Sequence, residues 1–295
     1  MNRFRRLALV VLLLLVGAPA AAEPADDAPH PALWHVLGPK GELYLFGSIH
    51  ILPADLDWRK GVIAEAIGRS DVFVFEIPLD ESAQARLASL VTDRGLLPKG
   101  ESLHALLSPA ARADLDADAT LAGLSPRSLD GLRPWLAELT LVTSRMAKEN
   151  ASPESGVDIE LEELVQRENK ELRYLETIDQ QIDLIVPSDR KLELSEFEAS
   201  LKEFRTEKDS FRGLIRAWQT GDTRALDELL NGEFKNEPEA RKALLDDRNR
   251  AWLPKLEAML NEKKVFFVTV GAGHLMGRYS VPDLLRADGY KVDGP

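Results

Sequence analysis

Apolar positions fall into two kinds of pattern along the chain. Trp34 to Leu37 and Leu43 to Phe46 are short apolar runs separated by Gly38-Pro39-Lys40-Gly41, which predicts a β-hairpin opening the domain. Arg59 to Ser70 spaces Val62, Ala66 and Ile67 as a helix does, and Val72 to Ile77 is a second, nearly continuous apolar strand. Strand, helix, strand is the pattern of a parallel sheet covered on both faces. From Ser82 to about Lys148 the period is helical, interrupted at Pro98-Lys99-Gly100, Ser108-Pro109 and Ser125-Pro126. Gly156-Val157-Asp158 opens another helix. Leu172 to Glu176 reads as a third strand, and Thr177 to about Met259 is again helical and strongly charged. Val265 to Val270 is the clearest buried strand; a helix over 280–287 and a last strand at Tyr290 to Val292 follow. The fold expected is one α/β domain over 32–295, a mixed, largely parallel sheet flanked by helices, with a helical insertion over about 82–260.

The N-terminus differs from the rest. Arg3, Arg5 and Arg6 precede the apolar run Leu7 to Val16, and Ala18 to Ala22 offers small-residue cleavage sites, so residues 1–22 are expected to be a secretory signal peptide and 23–31 a Pro/Ala/Asp linker. Export to the periplasm, or secretion, follows, with no stable membrane span after cleavage; an uncleaved inner-membrane anchor is the rival. Removing the leader leaves 34 basic against 49 acidic residues, a net charge of −15. Phosphate binding needs a basic patch, so a nucleic-acid partner is not expected. The absence of cysteine from the 295 residues excludes disulfides, Cys-ligated zinc, iron–sulfur clusters and thiol nucleophiles. Any metal site must be built from His, carboxylate and amide.

Two strands run into the same motif, Gly47-Ser48-Ile49-His50 and Gly271-Ala272-Gly273-His274. Glycine allows a sharp exit from the sheet, and the carboxyl ends of parallel strands are where α/β proteins form ligand sites. Glu76 ends an apolar run on another strand, where an unpartnered carboxylate would cost several kcal/mol, so it needs a cation or a partner. Two imidazoles and a carboxylate would make an open three-ligand site for Zn²⁺, Mn²⁺, Co²⁺ or Fe²⁺. The alternatives are core or surface histidines and a Glu76 paired with a basic side chain.

The segments 'PALWHVLGPKGELYLFGSIHILPADLDW', 'SDVFVFEI', 'ESGVDIELEELVQRENKELRYLET', 'LLDDRNRAW' and 'VFFVTVGAGHLMGRYSVPDLLRADGYKV' resemble, in order and spacing, the TraB/GumN family, relatives of the Tiki Wnt-inactivating proteases. The resemblance spans about residues 32 to 293. It implies a divalent-metal hydrolase fold akin to erythromycin-esterase-like and ChaN-like proteins, with the metal on His50, Glu76 and His274. It also brings forward Arg248 and Asn249 as groups that would stabilise an oxyanion or position substrate, Asp158 as a helix-start carboxylate, and Glu176 as a general base or as the residue that holds Arg248. Ser48 reads as packing and not as a nucleophile. The function expected is an exported metal-dependent hydrolase acting on a peptide or protein substrate. The alternatives are a non-catalytic periplasmic metal- or haem-binding protein and an accessory factor in exopolysaccharide production.

Overall fold

A computed structural model gathers the strand-forming runs into one sheet. The structure describes residues 29–148, 150–202, 204 and 208–295. The expected signal peptide, and the expected linker up to residue 28, lie outside the described residues. Strands β1 (Leu33–Leu37) and β2 (Glu42–Ser48) form the expected antiparallel hairpin, with Leu33 opposite Phe46 and Leu37 opposite Glu42. The short β3 (Leu52–Pro53) pairs with β5 (Ala151–Ser152), apart from the main sheet. The main sheet adds β4 (Val72–Phe75), β6 (Glu171–Tyr174), β7 (Val265–Gly271) and β8 (Lys291–Asp293), in the spatial order β6-β4-β7-β2-β1-β8. Its strands β6, β4, β7 and β2 are parallel, and β1 runs antiparallel to both β2 and β8.

Burial explains why β4 and β7 read as unbroken apolar runs. All four residues of β4 are buried, as are Phe266 to Val270 of β7, because helices cover both sides of the sheet. On one face Phe46 lies 5.7 Å from Phe267, which lies 5.6 Å from Phe73, and Trp58 and Trp218 close over Phe46 at 5.3 and 5.9 Å. Each such side chain contributes roughly 1.5–3 kcal/mol by leaving water. The Trp218 indole N–H donates to the Gly47 carbonyl at 2.7 Å, tying the helix Lys208–Gln219 to the exit of β2.

The stretch 82–260 is mostly helical, and it includes the third strand expected at Leu172 to Glu176. It supplies β6, which hydrogen-bonds to β4 as the edge of the main sheet. Its helices also build two cores of their own, one around Leu103, Leu115, Leu129, Leu141 and Phe197, the other around Ile77, Leu87, Trp135 and Ile182.

One buried acid in this region lacks full compensation. Glu162, on the helix Val157–Arg167, is 2% exposed. Its Oε1 accepts from the Leu79 N–H at 3.3 Å and from Gln166 at 3.2 Å, while Oε2 is buried with no hydrogen-bond partner among the described residues. Burial pushes its carboxyl up from 4.5 to about 7. The unfolded chain therefore gives up this proton near pH 4.5 and the folded chain near 7, so the wild type loses stability across that window as pH rises. The substitution Glu162→Gln is expected to raise unfolding free energy by roughly 1–3 kcal/mol more at pH 8 than at pH 5. Urea denaturation at the two pH values checks this; equal shifts would refute it.

Candidate metal and catalytic centre

Each of the four parallel strands delivers one functional side chain from its carboxyl end: His50 after β2, Glu76 after β4, Glu176 after β6 and His274 after β7. His50, Glu76 and His274 meet around Gly271, and Glu176 joins them through Arg248. The Gly271 N–H donates to Glu76 Oε1 at 2.6 Å. A Cβ there would stand 3.3 Å from Glu76 Oε1, a tight contact, and at ordinary contact 3.7 Å from His274 Cδ2 and 3.8 Å from His50 Nε2, so all three side chains border the same position. Nε2 of His274 is 3.9 Å from Glu76 Oε1.

The two rings are fixed from opposite sides. His50 Nδ1 donates to Asp158 Oδ2 at 2.5 Å, leaving Nε2 towards Gly271. Asp158 lies in the first turn of the helix Val157–Arg167, and the chain entering that turn crosses His50 closely: a Cβ on Gly156 would fall 2.2 Å from the His50 carbonyl oxygen. Burial disfavours the charged His50 ring, but the negative charge and hydrogen bond of Asp158 outweigh it and raise its pKa. His274 Nδ1 donates to Asn249 Oδ1 at 2.6 Å, and since an amide oxygen only accepts, the ring proton sits on Nδ1. Its Nε2 lone pair accepts from Arg248 Nη1 at 2.9 Å. Burial, and then the Arg248 charge, push the His274 pKa down to about 3, so the ring is neutral.

Arg248 is the hub. Its Nε and Nη2 donate to the two oxygens of Glu176, each at 2.8 Å, Nη2 also donates to Glu76 Oε2 at 2.5 Å, and its guanidinium lies 4.9 Å over the Trp252 ring. The Trp252 indole N–H donates to Glu176 Oε1 at 2.9 Å, and Gln181 Nε2 donates to Glu76 Oε2 at 2.6 Å. Burial alone would raise the Glu76 pKa, but Arg248, the two histidines and the Gly271 N–H bring it to about 2, so the carboxylate is ionised.

All seven side chains brought forward from the sequence, His50, Glu76, Asp158, Glu176, Arg248, Asn249 and His274, thus lie in one place, and the contacts of Glu176 and Asn249 are those of holding groups. Glu176 grips Arg248 and Trp252 with both oxygens, which suits a clamp better than a base. Asn249 accepts from His274 Nδ1 with its oxygen and donates one Nδ2 N–H to the Tyr279 carbonyl at 2.9 Å, which orients the His274 ring. Ser48 is 2% exposed, its Oγ has no hydrogen-bond partner among the described residues, and neither histidine is hydrogen-bonded to it. Gln181 and Trp252 were not singled out by the sequence: Gln181 is one polar position on a helix, and Trp252, although it closes the segment 'LLDDRNRAW', reads as an ordinary core aromatic. Beside Glu176 opens a cleft of about 530 Å³ lined by Pro78, Ser82, Arg86, Tyr174, Thr177 and Lys255, among others.

The donor set suits a divalent cation in type and direction. Two imidazoles and a carboxylate turn toward one point, and the carboxylates of Glu76, Asp158 and Glu176 surround a single guanidinium, an excess of negative charge that a cation held by the imidazoles would offset. As the side chains stand, no group of three or more His, Asp or Glu among the described residues forms a metal-holding cluster. The lone pair that His274 would offer is held by Arg248.

The sequence profile of the TraB/PrgY/gumN family matches residues 32–294. An uncharacterized protein of Treponema pallidum (strain Nichols) is 22% identical over 269 residues, covering 86% of this chain and 79% of that protein. Metalloproteases TIKI2 and TIKI1 of Danio rerio are 40% and 42% identical over 55 residues, 18% of this chain and 11% of each metalloprotease. No solved structure matches.

Proposed function

Because the chain belongs to the TraB/PrgY/gumN family, we propose that it is an exported, divalent-metal-dependent hydrolase of peptide bonds, with His50, Glu76 and His274 holding the ion. The observation that carries this reading is the convergence of the three side chains on Gly271 at the carboxyl edge of the sheet. Partial similarity to two metalloproteases points to the same chemistry. An architecture akin to erythromycin-esterase-like and ChaN-like proteins, and a periplasmic location, belong to the same proposal. No helix among the described residues is long and apolar enough to cross a membrane.

A divalent cation at this site supplies Lewis acidity toward a scissile carbonyl and lowers the pKa of water. The chain does the rest. Asp158 and Asn249 fix the two rings so that each turns Nε2 inward, the arrangement in which a carboxylate or amide behind a histidine sets its tautomer. Gly271 N–H and Gln181 hold the Glu76 carboxylate. Arg248, kept cationic by Glu76 and Glu176, is the donor placed to stabilise a developing oxyanion. The substrate chain would lie in the cleft beside Glu176.

The test is metal analysis of the purified protein, followed by incubation of its Mn²⁺, Co²⁺, Zn²⁺ and Fe²⁺ forms with an unbiased peptide library, wild type against Glu76→Gln. Cleavage by a metallated form, lost in the variant, supports the reading; stoichiometric metal with no turnover would favour a carrier. The Asp158→Asn substitution removes the anion behind His50 and is expected to weaken metal affinity about 10–100-fold without removing a ligand. Titration calorimetry measures this, and an unchanged affinity would argue that His50 is not a ligand.

A further inference from the structure

We propose that Arg248 is the stand-in cation of this centre: its guanidinium and the divalent ion compete for His274 Nε2, and loading the ion frees Nη1 for the substrate. The inference rests on the metal-hydrolase reading above.

An imidazole Nε2 carries a single in-plane lone pair, which can accept from Nη1 at 2.9 Å or bind a metal but not both. The geometry of the guanidinium makes it a partial release. Glu176 holds the Nε and Nη2 edge side-on at 2.8 Å each, and Nη2 reaches Glu76 Oε2. Nη1 is the corner tied to no carboxylate among the described residues: besides His274 it reaches only the Leu244 carbonyl, at 3.3 Å. A small tilt over the Trp252 ring, or a shift of the His274 ring, therefore breaks the Nη1 contact while the clamp on Glu176 survives.

Glu76 divides in the same way. Oε2 serves Arg248 and Gln181, whereas Oε1, on the side of His274 Nε2, has the Gly271 N–H as its partner. A cation can approach Oε1 without displacing Arg248 from Oε2. One residue thus compensates the buried carboxylates before metal arrives and becomes a free donor afterwards, beside the ion that released it. The cost of this arrangement is a weaker hold on the metal.

Lysine at 248 keeps the charge but concentrates its donors at one point, so it cannot clamp Glu176 side-on and cap His274 at once. Calorimetric titration of the metal-free protein with Mn²⁺ should show Arg248→Lys binding at least tenfold more tightly than wild type. A second measurement needs no variant: on adding diamagnetic Zn²⁺ to ¹⁵N-labelled wild-type protein, the His274 Nε2 and Arg248 Nη resonances should shift together. Normal loading with equal or weaker affinity in Arg248→Lys, or a His274 shift with Arg248 unmoved, would overturn the competition and leave the metal reading standing. Failure of the wild type and the variant to take up either ion would overturn the metal reading, and this inference with it.

Discussion

His274→Ala is expected to strip the protein of its divalent metal, lowering affinity roughly a hundredfold or more, and to abolish peptide hydrolysis. The scale follows from structural zinc sites, where about 10–16 kcal/mol is shared over four ligands, so each of three ligands carries several kcal/mol. His50→Ala and Glu76→Ala are expected to do the same, because the three side chains face one glycine. The double change His50→Ala/His274→Ala should cost little beyond either single change, since residues that act as one unit are strongly non-additive. Metal content after dialysis, measured on all four proteins, decides it; full occupancy in any single variant would remove that residue from the ligand set.

The second large effect is on stability. Arg248→Met leaves the Glu76 and Glu176 carboxylates, 8% and 9% exposed, without their cation. Breaking a buried pair from one side costs about 3–5 kcal/mol, a fall in Tm of about 10 °C for a domain of this size. Arg86→Met, which opens an exposed pair with Asp179, should leave Tm nearly unchanged. The same cluster predicts acid lability. Glu76 has its folded pKa lowered from 4.5 to about 2, so its contribution is complete above pH 4.5 and is lost as pH falls toward 2. His274 is lowered from 6.5 to about 3, so below pH 6.5 the unfolded ring takes a proton that the folded ring refuses. Both act in one direction; the raised pKa values of Glu162 and His50 oppose them above about pH 4.5, so the fall in Tm should become steep below pH 4.5. A Tm unchanged by Arg248→Met would mean the carboxylates find water or another partner.

Much of this centre was legible because its signals are local. An apolar run ending in glycine marks a buried strand and its exit, which is how His50 and His274 were found; a carboxylate closing an apolar run marked Glu76. The edge strand β6 was legible too, as the run Leu172 to Glu176, although one of its four residues is exposed and three are half-buried; what the local pattern did not carry was its place in the sheet beside β4. The helix that carries Arg248 hid its face for another reason. Lys242–Asp246 forms a π-helical turn directly before Asp247–Leu260, and the extra residue rotates the following face by about a hundred degrees relative to the preceding turns. A strict 3.6-residue reading across this junction misassigns the inward side. Arg248, Asn249 and Trp252 are all buried there, and Gln181 joins them from another helix as one polar position among several.

The pairing of β1 with β8 brings the first and last strands of the sheet side by side, and the Trp34 indole N–H donates to the Pro295 carbonyl at 3.0 Å. That edge is separated from β6 and the cleft beside Glu176 by the width of the sheet. Because β8, like β2, ends at the carboxyl edge of the sheet, a tether or fluorophore after Pro295 would leave from the same edge as the candidate centre, with β1 and β2 between it and β7, so its linker must be long enough to keep the cleft beside Glu176 open to solution. Immobilised in that way, the protein could be washed through successive metals and peptide pools on a single surface, with the same molecules compared before and after each exchange.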